Sequence, residues 1–162
     1  MVIDKMVEEL NKQINVELYS HYLYLAMAAY FDSINLSGFA NWMKVQAKEE
    51  EGHALKIYGH LVTRGGRVKL LQINQPPLEW KTPLEAFEAA HSHEVWVTNN
   101  IHRLIGLAEG EKDYATANML QWFVSEQVEE EASALTIVQK LRMIGDNLGA
   151  LLILDKELGE RK

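Results

Sequence analysis

The stretch Glu49-Glu50-Glu51-Gly52-His53 sits inside a segment whose apolar residues Phe39, Trp42, Met43, Ile57 and Leu61 recur at helical spacing. Glu50 and His53 are three residues apart, so on a helix they project from one face. Gln46 shares that face, and the surrounding stripe marks it as core. Burying a carboxylate without a partner costs on the order of several kcal/mol or forces it to protonate. A Glu-x-x-His pair that faces the interior of a helical bundle is one way to hold a metal ion between helices. The fold therefore turns on whether other helices bring ligands to this pair.

Working outward, four long segments carry the 3.6-residue pattern of amphipathic helices. The first is expected from about Asp4 to Phe31, with Met6, Leu10, Ile14, Leu18, Leu25 and Ala28 on or near one face. The second holds the Glu-x-x-His pair and runs to about Arg64, with Ser37 as its expected N-cap and Gly65-Gly66 as its stop. Thr82-Pro83, a cap residue followed by proline at the first helical position, opens the third, which reaches about Ala108. The fourth follows from about Lys112 to Met143. Asp146 is placed to cap a short fifth helix over about Asn147 to Leu158.

The connections set the topology. Short loops make helices one and two, and helices three and four, antiparallel hairpins. Between the pairs, Gly65 to Lys81 is rich in Gly, Pro and Gln and long enough to run the length of a helix. The expected fold is all-α: a four-helix bundle spanning about residues 4–143, with one long crossover between helices two and three and a short fifth C-terminal helix. Residues 1–162 are expected to form one domain.

Composition narrows the chemistry. The chain has no cysteine, so disulfides, thiolate metal sites and cysteine nucleophiles are excluded, and any metal must be held by carboxylates and imidazoles. That ligand set suits iron, manganese or zinc. A net charge of -7 argues against nucleic acid as a partner. Met1 to Lys12 alternates charges without an apolar run, and the longest apolar stretch, Leu148 to Leu154, is too short to span a bilayer. A cytoplasmic protein is the expectation.

Each of the four long helices places a glutamate midway along its apolar stripe. The first reads Met6, Leu10, Ile14, Glu17, His21, Tyr24, Ala28; the second supplies Gln46, Glu50 and His53. The third reads Leu84, Phe87, His91, Glu94, Thr98, Ile101, Ile105; the fourth reads Leu120, Phe123, Gln127, Glu130, Ala134, Ile137, Leu141. Antiparallel helices of similar length bring these midpoints to similar depths. Four buried carboxylates repel one another and lose hydration, and two divalent cations would cancel their charge. The expectation is a dinuclear carboxylate site, with Glu50 bridging and Glu17, His53, Glu94 and Glu130 as terminal ligands.

With these separations, Glu17, Glu50-x-x-His53, Glu94 and Gln127-x-x-Glu130 resemble the ferroxidase centre of the ferritin family, nearest to bacterial non-haem ferritins. The resemblance extends over Tyr24, Pro76 in the crossover, Gln121-Trp122, Ser125-Glu126-Gln127 and Asp155-Lys156-Glu157-Leu158. It implies that Glu17, Glu50 and His53 hold one iron and that Glu50, Glu94 and Glu130 hold the second. Gln127 would lie near the first as a hydrogen-bonding partner. It further implies a third iron near Glu49, Glu126, Glu129 and Glu130; a solvated acidic face is the alternative for Glu49, Glu126 and Glu129. Tyr24 would donate an electron during reduction of O2 or H2O2, and Trp122 is a similar candidate; both are also ordinary core aromatics. The implied function is ferroxidase activity and storage of ferric mineral inside a homo-oligomeric cage of 24 subunits.

Departures from related groups refine the expectation. Haem-binding bacterioferritins have a methionine beside the bridging glutamate, where this chain has Glu51, and a second Glu-x-x-His, where it has Gln127-x-x-Glu130; no haem is expected. His21 and His91 have ligand-compatible spacing but match no ligand of the family, so they are expected to support or simply pack, and His60, His93 and His102 to lie at the surface or between helices. Leu148, Leu151, Leu152, Ile153 and Leu154 are too apolar for a free tail and should pack on the bundle or on another subunit. Two other classes fit the ligand set: a di-iron oxidase or peroxidase acting on another substrate without storing mineral, and a helical bundle stabilised by a static metal such as zinc.

Overall fold

The computed structural model describes residues 1–162 and contains five helices: α1 (Asp4–Ser33), α2 (Ser37–Thr63), α3 (Pro83–Gly110), α4 (Tyr114–Ile144) and α5 (Leu148–Leu158). At 1.5 Å per residue, the 30 residues of α1 extend about 45 Å. α1 packs along α2 and α3 along α4, as the short connections require. The N–H of Val2 donates to the carbonyl of Arg64, which ties the start of the first hairpin to its end.

The crossover runs beside α1 and is fastened to it by two asparagines. The Asn11 side chain donates to Arg67 O (3.0 Å) and accepts from Lys69 N (2.7 Å), and Asn15 donates to Gln72 O (3.0 Å). Further along, Trp80 meets Tyr30 edge to face. From Asn11 to Tyr30 the crossover follows the direction of α1, so α3 starts beside the C-terminal end of α1 and runs antiparallel to it. Four midpoints are thereby brought together.

Helix ends follow local chemistry in part. Thr82 caps α3 through Glu85 N, with Pro83 at the first helical position as expected. α4 starts at Tyr114, two residues after the expected Lys112, because the Asp113 carboxylate accepts from Thr116 N and caps the helix there. Asn147, and not Asp146, caps α5 by accepting from Ala150 N. Ser37 does not cap α2: Asp155 of α5 accepts from both Gly38 N and Phe39 N. α1 continues two residues beyond Phe31 to Ser33, and Leu25 lies on its exposed side.

The interior is two apolar cores with a polar layer between them. One core gathers Phe31, Phe39, Trp42, Phe87, Leu141, Leu154 and Leu158 around the α5 end of the bundle. The other gathers Met6, Leu10, Ile57, Leu61, Ile101, Leu104, Leu120 and Phe123. α5 docks by Leu154 and Leu158, whereas Leu148, Leu152 and Ile153 stay exposed, so the apolar run is split between two faces. No helix is long and apolar enough to cross a membrane.

Candidate metal centre

Between the two cores, Glu17, Gln46, Glu50, His53, Glu94, Gln127 and Glu130 are all buried. Each helix supplies its glutamate because the same 3.6-residue stripe that buries Ile14, Met43, Val97 and Phe123 carries the glutamate inward one or two turns away. The side chains meet in overlapping groups. Ligand atoms of Glu17, Glu50 and His53 lie within 4.8 Å of one another, as do those of Glu50, Glu94 and Glu130. Glu50 belongs to both.

The imidazole is held between carboxylates. Its Nδ1 lies 3.2 Å from Glu50 Oε2 and 3.8 Å from Glu17 Oε2, and its Nε2 lies 3.5 Å from Glu126 Oε1. His53, Glu126 and Glu130 form a third group within 4.8 Å. Of the other residues named for a third ion, Glu49 pairs instead with Arg161 at 2.8 Å, and Glu129 is exposed and joins none of these groups.

Electrostatics mark these carboxylates as sharing a site that a cation would relieve. Burial, then repulsion from Glu50, holds the Glu17 carboxyl well above the usual range. Glu50 is raised by burial and by Glu94 and Glu130, and burial raises Glu94. Burial and the charge of Glu94 push Glu130 up to about 8. Glu17 is fully buried, and its Oε2 has no hydrogen-bond partner. A buried polar oxygen without a partner costs about 1–3 kcal/mol, and here it faces a second carboxylate and an imidazole. The donor set of hard oxygens with one nitrogen fits iron as a bound substrate.

Neutral side chains hold the cluster in place. Gln13 donates to Glu17 Oε1 (2.8 Å), and Gln46 donates to Glu50 Oε1 (2.7 Å) and Glu130 Oε2 (2.6 Å). Gln127 donates to Glu94 Oε2 at 3.0 Å, so its amide serves the Glu50–Glu94–Glu130 group and not, as expected, the Glu17–Glu50–His53 group. The Tyr24 hydroxyl donates to the other oxygen of Glu94. Trp122 is partly exposed and stands edge-on to His53, with Lys56 Nζ over its ring, 4.3 Å from the centroid.

The remaining histidines join no metal-ligating group. His21 Nδ1 bonds the Ala47 carbonyl at 2.6 Å, and His60 bonds Thr116. His93 bonds Ser20, lies between the rings of Tyr19, Tyr24 and Trp96, and is pushed down to about 4 by burial. His91 is half-buried and His102 exposed, and neither joins a metal-ligating group. Gln13 and Arg161 were not singled out from the sequence. Gln13 had a signal, since it precedes Glu17 by four residues as Gln46 precedes Glu50. Arg161 had none.

Residues 7–144 match the ferritin-like domain family, described as Ferritin. This chain belongs to the ferritin family. It is 43% identical over 161 residues to the bacterial non-heme ferritin of Bacteroides fragilis (strain 638R), with 99% of this chain and 100% of that protein aligned. With the bacterial non-heme ferritin of Staphylococcus aureus (strain MRSA252) the identity is 41%, over 99% of this chain and 97% of the relative. Among solved structures, the open pore ferritin from the hyperthermophilic archaeon Archaeoglobus fulgidus superposes with a TM-score of 0.99 at 60% identity, covering 100% of this chain and 99% of that one. The ferritin bundle with its short C-terminal helix is the architecture expected from the sequence.

Proposed function

We propose that this ferritin stores iron, oxidising Fe(II) at the centre within each subunit and keeping the ferric product as mineral inside a cage of 24 copies. The observation that carries this reading is the set of four buried glutamates and one histidine, from four helices, with Glu50 common to two ligand groups. Glu17, Glu50 and His53 would hold one iron, and Glu50, Glu94 and Glu130 the other. Hard anionic oxygen ligands favour Fe(III) over Fe(II). Two irons at one centre supply two electrons together, so O2 and two protons give H2O2 with no one-electron product released. H2O2 with two further protons can in turn accept two electrons from a further pair of Fe(II), giving two molecules of water.

The protein's own groups have defined parts in this. Gln13, Gln46, Gln127 and Tyr24 donate to the carboxylates and fix where each oxygen points. Tyr24 is within one hydrogen bond of Glu94, which supports its role as an electron donor. The group of His53, Glu126 and Glu130 supports a third iron position. No haem is part of this reading, and residence in the cytoplasm belongs to it.

The test is aerobic Fe(II) addition followed by size-exclusion chromatography, with iron and protein assayed in each fraction. Storage requires iron far in excess of two per chain to elute with a very large assembly. Saturation at two per chain on a small oligomer would overturn storage and leave a di-iron oxidase or peroxidase.

A further inference from the structure

The C-terminal tail crosses α2 beside the metal centre and ends in a fixed contact. Asn41 Nδ2 donates to the carbonyl of Arg161 (2.9 Å), and the guanidinium lies over the Trp42 ring, 4.3 Å from its centroid. Its Nη1 donates to Trp42 O (3.2 Å), and its Nη2 donates to Gln46 Oε1 (3.0 Å) and Glu49 Oε2 (2.8 Å). Gln46 is buried, and its Nε2 donates to Glu50 and Glu130 at 2.7 and 2.6 Å. One unbroken line of hydrogen bonds therefore joins the tail to two metal-ligand candidates.

The polarity of that line has one direction. A guanidinium carries only donors, and a glutamine amide has one accepting oxygen and one donating NH2. With Arg161 on the oxygen, the NH2 must face the carboxylates. We propose that Arg161 and Gln46 are positioning residues of the metal centre: the tail arginine fixes the Gln46 amide, which holds Glu50 and Glu130 at the separation the second metal position needs. This rests on reading Glu50 and Glu130 as metal ligands. The effect is directional, because Gln46 binds Oε1 of Glu50 while Oε2 of Glu50 faces His53. The position made by Glu50, Glu94 and Glu130 depends on Gln46 through two ligands; the one made by Glu17, Glu50 and His53 depends on it through one.

Anaerobic titration of the full chain with Co(II), followed by calorimetry and by the visible absorption of the bound ion, tests this. The wild type should take up at least two Co(II) per chain, in the two groups that share Glu50. Arg161→Ala and Gln46→Leu should each weaken the position made by Glu50, Glu94 and Glu130 roughly 10- to 100-fold, the range seen on loss of hydrogen-bonding partners to metal ligands, and should weaken the position made by Glu17, Glu50 and His53 clearly less. If Arg161 acts through Gln46, adding Arg161→Ala to Gln46→Leu changes nothing further. Lys140→Ala breaks the α4–α5 ion pair with Glu157 and leaves the Arg161 contacts in place, so both affinities should hold. Equal weakening of both positions, additive effects of the two variants, or wild-type affinities in Arg161→Ala would overturn the proposal. A wild type that binds no Co(II) would overturn the metal-centre reading itself.

Discussion

Asp155 on α5 accepts a 2.8 Å hydrogen bond from the backbone N–H of Gly38 on α2, and a second, at 3.0 Å, from the next residue, Phe39. The first turn of a helix has N–H groups with no partner inside the helix, and a carboxylate there also meets the positive end of the helix dipole. Asp155 thus caps one helix and docks another. Gly38 permits this approach, since a Cβ on it would lie 1.6 Å from the Asp155 carbonyl oxygen.

Asp155→Ala should therefore cost about 1–2 kcal/mol, the usual size of a lost N-cap, and Gly38→Ala should cost more by displacing α5. Hydrogen exchange measured by residue should show amides of α5 and of the first turn of α2 losing protection in both variants. Protection unchanged in α5 would show that Leu154 and Leu158 hold the helix without the cap.

The contrast between Thr82 and Ser37 shows what was legible in the sequence. Thr82 caps its own helix three residues away, so the rule that names it is local and holds. Ser37 is a good cap by type, but of the N–H groups it would satisfy, that of Phe39 is taken by Asp155, more than a hundred residues along the chain, and that of Ala40 by the Leu36 carbonyl. The midpoint glutamates were legible because periodicity fixes the face and similar helix lengths fix the depth. Arg161 was not, since its place depends on how α5 docks, and no periodic pattern reports that. Glu49 and Glu126 look alike in sequence; one pairs with Arg161 and the other approaches His53 only once the helices are assembled.

Tyr24→Phe removes the hydroxyl that donates to Glu94 and leaves the Gln127 amide on the other oxygen. A hydrogen bond to a charged group contributes about 1.5–3 kcal/mol. Glu94 is already raised by burial, and the Tyr24 hydroxyl opposes that rise, so its loss drives the carboxyl higher and lets protons compete better with metal. Co(II) binding should keep its stoichiometry, with affinity falling more at about pH 6 than at about pH 8. A pH-independent loss would place the effect in packing.

Metal-free protein should lose stability as the pH rises. Glu17, Glu50, Glu94 and Glu130 all have folded values raised above those of an unfolded chain, Glu130 to about 8. In that window the folded state binds more protons than the unfolded state, and the stability this supplies is complete below about pH 4 and lost through about pH 8. Thermal unfolding of the metal-free chain between about pH 5.5 and about pH 8.5 should show a falling midpoint, less steep in Glu130→Gln. Saturating Co(II) should reverse the trend, because the ion replaces the protons. A slope identical in Glu130→Gln and the wild type would contradict the raised value.

Glu50→Gln separates function from stability most sharply. Glu50 is common to the groups made with Glu17 and His53 and with Glu94 and Glu130, so losing its charge weakens both positions at once. The same charge is a liability in the metal-free chain, where Glu94 and Glu130 repel it and burial denies it hydration. An amide of nearly the same shape carries no charge, so the desolvation and repulsion that penalise the ionised carboxyl are removed. The metal-free variant should unfold at a higher temperature than the metal-free wild type, and the gap should widen with pH as the wild-type carboxyl ionises. Co(II) uptake and aerobic Fe(II) oxidation should both collapse, while size-exclusion chromatography shows the assembly unchanged. If the metal-free variant were less stable than the wild type, Glu50 would be a structural hydrogen-bond acceptor for Gln46 first and a ligand second.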